Sequence, residues 1–198
     1  MNPHQVTKDF ESALCSYTGA PFAVATTSCT TALLLCLLAI EHRCKWISIP
    51  KLTYVGVGAS IRNAGFDLVC RDEDWQGQYR LEPTNIWDSA RRLTSGMYIP
   101  GAVMCLSFHW TKHLSIGQGG AILLDNPEKA EKLRRMRFDG RREGADAKGD
   151  DFVWPSFHAY MMPRDAAEGL TRLSLLPKHN ADLPRSDYPD LSLIEAFK

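Results

Sequence analysis

The sequence contains no C-x-x-C pair, no apolar stretch long enough to cross a bilayer and no net charge, and each absence excludes a class of protein. Its six cysteines (Cys15, Cys29, Cys36, Cys44, Cys70, Cys105) are scattered, and four lie in apolar segments where cysteine acts as a small hydrophobe. Neither a disulfide framework nor a zinc site is expected. His109 and His113 are four apart, but the pattern lacks the glutamate of a zincin and falls in a turn. The longest apolar run, Thr31 to Ile40, is too short for a membrane span and ends in Glu41-His42-Arg43. With 23 basic against 23 acidic residues, the balance speaks against a generic polyanion binder. Met1-Asn2-Pro3-His4-Gln5 shows no basic-then-apolar leader, so a cytoplasmic, membrane-free chain is expected.

What is present suffices for one domain with a real core: 198 residues, of which 44% are hydrophobic. Apolar spacing predicts a helix from Val6 to Tyr17, stopped by Gly19-Ala20-Pro21. Phe22 to Ala25 reads as a strand, and Thr26-Thr27-Ser28 caps a helix running to about His42. That helix is apolar nearly all round and should be buried. Further strands are expected at Trp46 to Ile49, Asp67 to Cys70, Asn85 to Trp87, Ala102 to Leu106 and Ala121 to Leu124. Helices are expected from Tyr54 to Ala64, from Asn126-Pro127 to about Phe138, and from Pro163 to Leu176. Arg141 to Asp151 reads as a mobile loop. The alternation gives an α/β fold with a mainly parallel sheet flanked by helices. Residues 1–176 form the expected body, and 177–198 an extended or partly disordered tail.

Ligands of such sheets bind beyond the carboxyl ends of the strands. Four turns lie there: around Ser28, around Thr53-Tyr54, at Asp88, and from Ser107 to Lys112. Ala102 to Leu106 empties into Ser107-Phe108-His109-Trp110-Thr111-Lys112, and a glycine cluster returns the chain to the next strand. A partly desolvated lysine there has a lowered pKa and suits a Schiff base; the alternative is a surface lysine in a hairpin. Ser28-Cys29-Thr30 opens a helix whose N-terminus suits a phosphate, although plain capping would use the same residues. Asp88 can pair with Arg91 or Arg92, or hold a pyridinium nitrogen. Tyr54 can stack on a flat ring or serve as an ordinary aromatic. The basic run Lys132 to Arg137, with Arg141-Arg142, admits nucleic acid but more often marks a solvated helix face.

Five segments, in order, resemble the DegT-type family of pyridoxal-phosphate (PLP) enzymes, mostly nucleotide-sugar aminotransferases with the aspartate-aminotransferase-like fold. Phe22 to Leu33 is similar to the family's phosphate turn, Pro50-Lys51-Leu52-Thr53-Tyr54 to its ring-stacking turn, and Trp87-Asp88-Ser89-Ala90 to "EDAA". Ser107 to Gly120 is similar to "SFHPTKNLTTGEGG", and Ala166 to Leu170 to "AALGL". The resemblance implies that Lys112 forms the internal aldimine and shuttles the proton between substrate Cα and cofactor C4′. It implies that Asp88 holds the pyridinium nitrogen, that Tyr54 stacks on the ring, and that Ser28, Cys29, Thr30 and Ser107 hold the phosphate. Arg91 stands where the family has Gln or His near the phenolic oxygen. His158 stands where an asparagine of the neighbouring subunit reaches the phosphate, so a homodimer with an interfacial site is expected.

Departures accompany the match. Cys29 replaces a glycine, Trp87 replaces a glutamate, and between Gly65 and Asp88 there is no room for the family's extra strand and helix. Family members are commonly about twice as long, and the sequence is expected to stop before the family's small C-terminal domain. The expected reaction is amino transfer from glutamate or glutamine to a nucleotide-linked keto sugar. A decarboxylase or lyase acting on an amino-acid-modified nucleotide or DNA base is the alternative, followed by a catalytically dead scaffold.

Overall fold

The computed structural model describes residues 4–40, 44–145, 147–152, 154 and 156–197. Helix α1 (Gln5–Thr18) buries Phe10 and Leu14, and ends on Gly19, whose φ of 80° only glycine adopts without strain. β1 (Phe22–Thr26) leads into α2 (Cys29–Leu38), where the Ser28 Oγ accepts the Thr31 N–H at 3.0 Å as the N-cap. β2 (Trp46–Pro50), α3 (Val55–Asn63) and β3 (Asp67–Arg71) follow. Next come β4 (Tyr79–Leu81), β5 (Ile86–Asp88), β6 (Val103–Ser107) and β7 (Gly120–Leu124), then α4 (Pro127–Met136) and α5 (Pro163–Leu175). The end of α2 at Leu38 is earlier than the expected His42, which lies outside the described residues.

The five-stranded sheet runs β1-β7-β6-β5-β4, and the pair β2-β3 abuts β4 through mutual hydrogen bonds of Ser48 and Glu82. The α/β class holds, but the sheet is mixed: β5-β6 and β2-β3 are parallel, whereas β1-β7, β6-β7 and β4-β5 are antiparallel. For the β4-β5 pair, connection length decides this. A parallel crossover needs a dozen or more residues, usually a helix, and only Glu82-Pro83-Thr84-Asn85 joins β4 to β5. β4 itself was not expected from the sequence.

The central strands are apolar on both faces. Val103 and Cys105 of β6, with Ile122 and Leu124 of β7, join the core under α2, α3 and α4. Met104, Leu106, Ala121 and Leu123 point the other way, into the core under α1 and α5. Beneath α4 the basic run is largely neutralised. Arg137 is fully buried against Glu11 and Glu143, Arg134 pairs with Glu11, and Arg135 pairs with Asp150 and Asp151. Among the described residues, the arginines of this run are therefore paired with carboxylates. In the stretch expected as a mobile loop, Arg141 to Asp151, the described residues Arg142, Glu143, Asp150 and Asp151 are held by these pairs and by the Arg142 N–H on Asp150 at 2.6 Å.

From Pro177 to about Pro189 the chain is extended and crosses the body as a strap, which ends in two short 3-10 turns, Leu191–Leu193 and Glu195–Phe197. Asp182 pairs with Arg92, the Leu183 N–H reaches the Arg91 carbonyl at 3.0 Å, and Leu191 is fully buried. No helix among the described residues is long and apolar enough to cross a membrane.

Candidate active site

Strand register brings the site turns to one edge of the sheet. Gly120 opens β7 opposite both Thr26, which ends β1, and Ser107, which ends β6. Asp88, ending β5, lies opposite Cys105, and on its other side opposite Tyr79 at the start of β4. A Cβ on Gly120 would stand 2.4 Å from the Ser28 carbonyl carbon and 2.5 Å from the Cys29 nitrogen. Glycine there lets the α2 N-terminus sit directly on the sheet edge. The Cys29 and Thr30 N–H groups, in the first turn of α2, have no acceptor among the described residues, as helix geometry requires.

Asp88 is buried, and its oxygens accept the Ala90 N–H at 2.9 Å and the Tyr79 hydroxyl at 3.0 Å. The Cys29 Sγ lies 4.0 Å away. Burial pushes the Asp88 carboxyl up from the ordinary value, against the pull of Ala90, Tyr79, Lys112 and Arg91. The Lys112 amine is pushed down, first by burial and then by Arg91, while Asp88 and Cys29 pull it up. Lys112 and Asp88 thus share one field. Neither arginine pairs with Asp88: Arg92 goes to Asp182 and Arg91 to the strap. Arg91 donates to the Pro184 carbonyl at 2.5 Å, to the Tyr188 hydroxyl at 3.2 and 3.1 Å, and to Ser186 Oγ.

Thr30 and Tyr54 are neighbours across Gly56, where a Cβ would meet the Tyr54 ring at 2.6 Å and the Thr30 Oγ1 at 2.9 Å. The Tyr54 ring is half exposed and stands 6.4 Å from that of Tyr188. The Ser107 Oγ accepts the His109 N–H at 3.4 Å. His109 faces Thr111, His113 faces the Ala181 carbonyl, and no metal-binding cluster occurs among the described residues. His158 is exposed and pairs with Asp139 at 2.7 Å, and no hydrogen bond or ion pair joins it to the other site residues among the described residues. Thr53 lies in a turn that the sequence placed at the site, whereas Tyr79 and the strap residues Pro184, Ser186 and Tyr188 are not marked by any motif. Tyr79 also packs edge-on against Trp75, ring centroids 4.7 Å apart.

An α/β sheet with an amine, a buried acid and a helix N-terminus at one edge is the large-domain architecture of PLP-dependent transferases. The sequence matches the DegT/DnrJ/EryC1/StrS aminotransferase family over residues 2–96 and 96–183, and the chain belongs to that family. The fold agrees. AtS13 from Actinomadura melliaura superposes with a TM-score of 0.74 at 22% identity, over 86% of this chain and 60% of that one. PseC of Helicobacter pylori, an aminotransferase involved in the biosynthesis of pseudoaminic acid, gives 0.71 at 19% identity, over 85% and 57%. NtdA from Bacillus subtilis, solved with bound cofactor PMP, gives 0.70 at 20% identity, over 85% and 47%. The chain therefore spans about half to three-fifths of the length of these structures.

The residues present fit pyridoxal phosphate, the cofactor of this family. The α2 amides and the Gly120 cradle suit its phosphate, and the buried Asp88 carboxylate, without an ion-pair partner among the described residues, suits its ring nitrogen.

Proposed function

We propose that the chain carries the PLP-binding part of a sugar aminotransferase, with amino transfer from glutamate or glutamine to a nucleotide-linked keto sugar as its reaction. One observation carries the reading: a buried carboxylate and a partly buried amine, each within the other's electrostatic field, lie beside a helix N-terminus on one sheet edge.

When bound, PLP supplies an aldehyde and an electron-withdrawing ring. Lys112, whose partly buried amine is pushed below its ordinary value, would hold the aldehyde end of the cofactor and carry a proton to and from the substrate Cα. Asp88 holds the proton on the ring nitrogen. The Cys29 and Thr30 amides, with the Ser28, Thr30 and Ser107 hydroxyls, hold the phosphate. Tyr54 covers one ring face. Arg91 acts by charge, since its N–H groups are committed to the strap. A second copy of the chain completes the site, which accounts for the exposure of Trp110 and Tyr54 and brings His158 to the phosphate. Action in the cytoplasm accords with such small-molecule chemistry.

Titration of the purified chain with PLP tests the proposal. The visible band of a lysine Schiff base appears in the wild type, is absent in Lys112→Ala, and bleaches when glutamate is added. A folded wild-type chain that takes up no PLP defeats the reading. Sedimentation checks the dimer.

A further inference from the structure

The hairpin β4–β5 puts Tyr79 directly opposite Asp88, with both side chains on the same face of the sheet. The Tyr79 hydroxyl lies 3.0 Å from the Asp88 Oδ2 and 2.7 Å from the Thr53 Oγ1, and all three residues are buried. An ionised carboxylate only accepts, so the phenol donates to Asp88 and Thr53 donates to the phenol. The chain of donors is Thr53 to Tyr79 to Asp88. It joins the turn before α3 to the end of β5.

We propose that Tyr79 is a positioning residue, its phenol held by Thr53 and aiming the Asp88 carboxylate at the cofactor's ring nitrogen. This rests on the function proposed above. The Ala90 N–H fixes Asp88 Oδ1 and Tyr79 fixes Oδ2, so the side chain cannot rotate, yet each oxygen keeps a lone pair. The other groups facing Asp88 are Cys29 from α2, Cys105 from β6, and Lys112 and Arg91 from the turns. Burial drives the Tyr79 phenol well above its usual range, so it remains a neutral donor. A tyrosine at this place arises from the short connection. A parallel β4 would have brought its far end to this edge.

Tyr79→Phe removes only the hydroxyl. With PLP as the probe, the affinity of the chain falls about tenfold, the worth of one hydrogen bond to a charged group. In an Asp88→Asn background the same change moves affinity less than twofold. A second readout needs no cofactor. The hydroxyl favours ionised Asp88, so the melting-temperature gap between wild type and Tyr79→Phe widens as pH rises from the acid range to neutrality. In Asp88→Asn that gap does not vary with pH. Unchanged affinity in a folded Tyr79→Phe chain overturns the proposal, and so does a pH-independent gap. If the wild type binds no PLP, the functional reading fails, and the cofactor-free comparison still decides whether Tyr79 holds Asp88. Should Tyr79→Phe not fold, Thr53→Val, which strips the phenol of its own donor, is read by the same two measurements.

Discussion

On one side of the site, β1, β6, β7 and the start of α2 meet through main chain, so closely that Gly120 has no room for a Cβ. On the other side, β4, β5 and the strap meet through side chains: Tyr79 on Asp88, Arg91 on Pro184, Ser186 and Tyr188, and Arg92 on Asp182. The main-chain side holds the proposed phosphate and lysine positions. The side-chain side holds the charges that tune them. Damage to the first should unfold the protein, whereas damage to the second should retune a protein that stays folded.

The largest effect is expected at Glu11, which accepts the Ala25 N–H of β1 at 2.9 Å and pairs with the buried Arg137. Glu11→Ala leaves that guanidinium underpaired and costs about 3–5 kcal/mol in urea unfolding. Gly120→Ala comes next, at about 3 kcal/mol by the same measurement, because the clash is with backbone that has no rotamer to escape to. On the side-chain side, Arg91→Met should cost about 2 kcal/mol and open the strap to limited proteolysis near Ser186. An Arg91→Met strap as resistant as the wild type's would erase the contrast between the two sides.

The smallest effect is at Lys112, and its size depends on pH. The folded-state amine titrates below its ordinary value, so folding favours the neutral form. Its contribution to stability is fully present above the unfolded pKa and is lost as pH falls through the folded one. Lys112→Met should therefore melt no lower than the wild type at neutral pH, and any advantage should shrink as pH rises toward the ordinary lysine range. Melting curves across that range check the sign.

The main-chain side was legible in the sequence because it rests on runs and spacings. Val103 to Ser107 and Gly120 to Leu124 are apolar strands around a turn, and Ser28 is a capping residue before an apolar helix. The other side was not legible. β4 is three residues long with Arg80 at its centre, too short to display a period of two. Its direction is set by the length of the link that follows. The strap is held by carbonyls such as those of Pro184 and Lys178, which leave no trace in side-chain identity. For the same reason nothing near Arg91 in the sequence shows that its guanidinium is held by residues more than ninety positions away.

The Glu82–Asn85 link works as a vernier on the acid's surroundings. A strand moved by one position presents its opposite face, so the link's length selects the side chain that confronts Asp88. One extra residue, with the four-residue turn retained, would slide Arg80 into register with the carboxylate and exchange a neutral donor for a cation. The acid's partner on this edge is thus chosen by counting residues in a turn that never touches it.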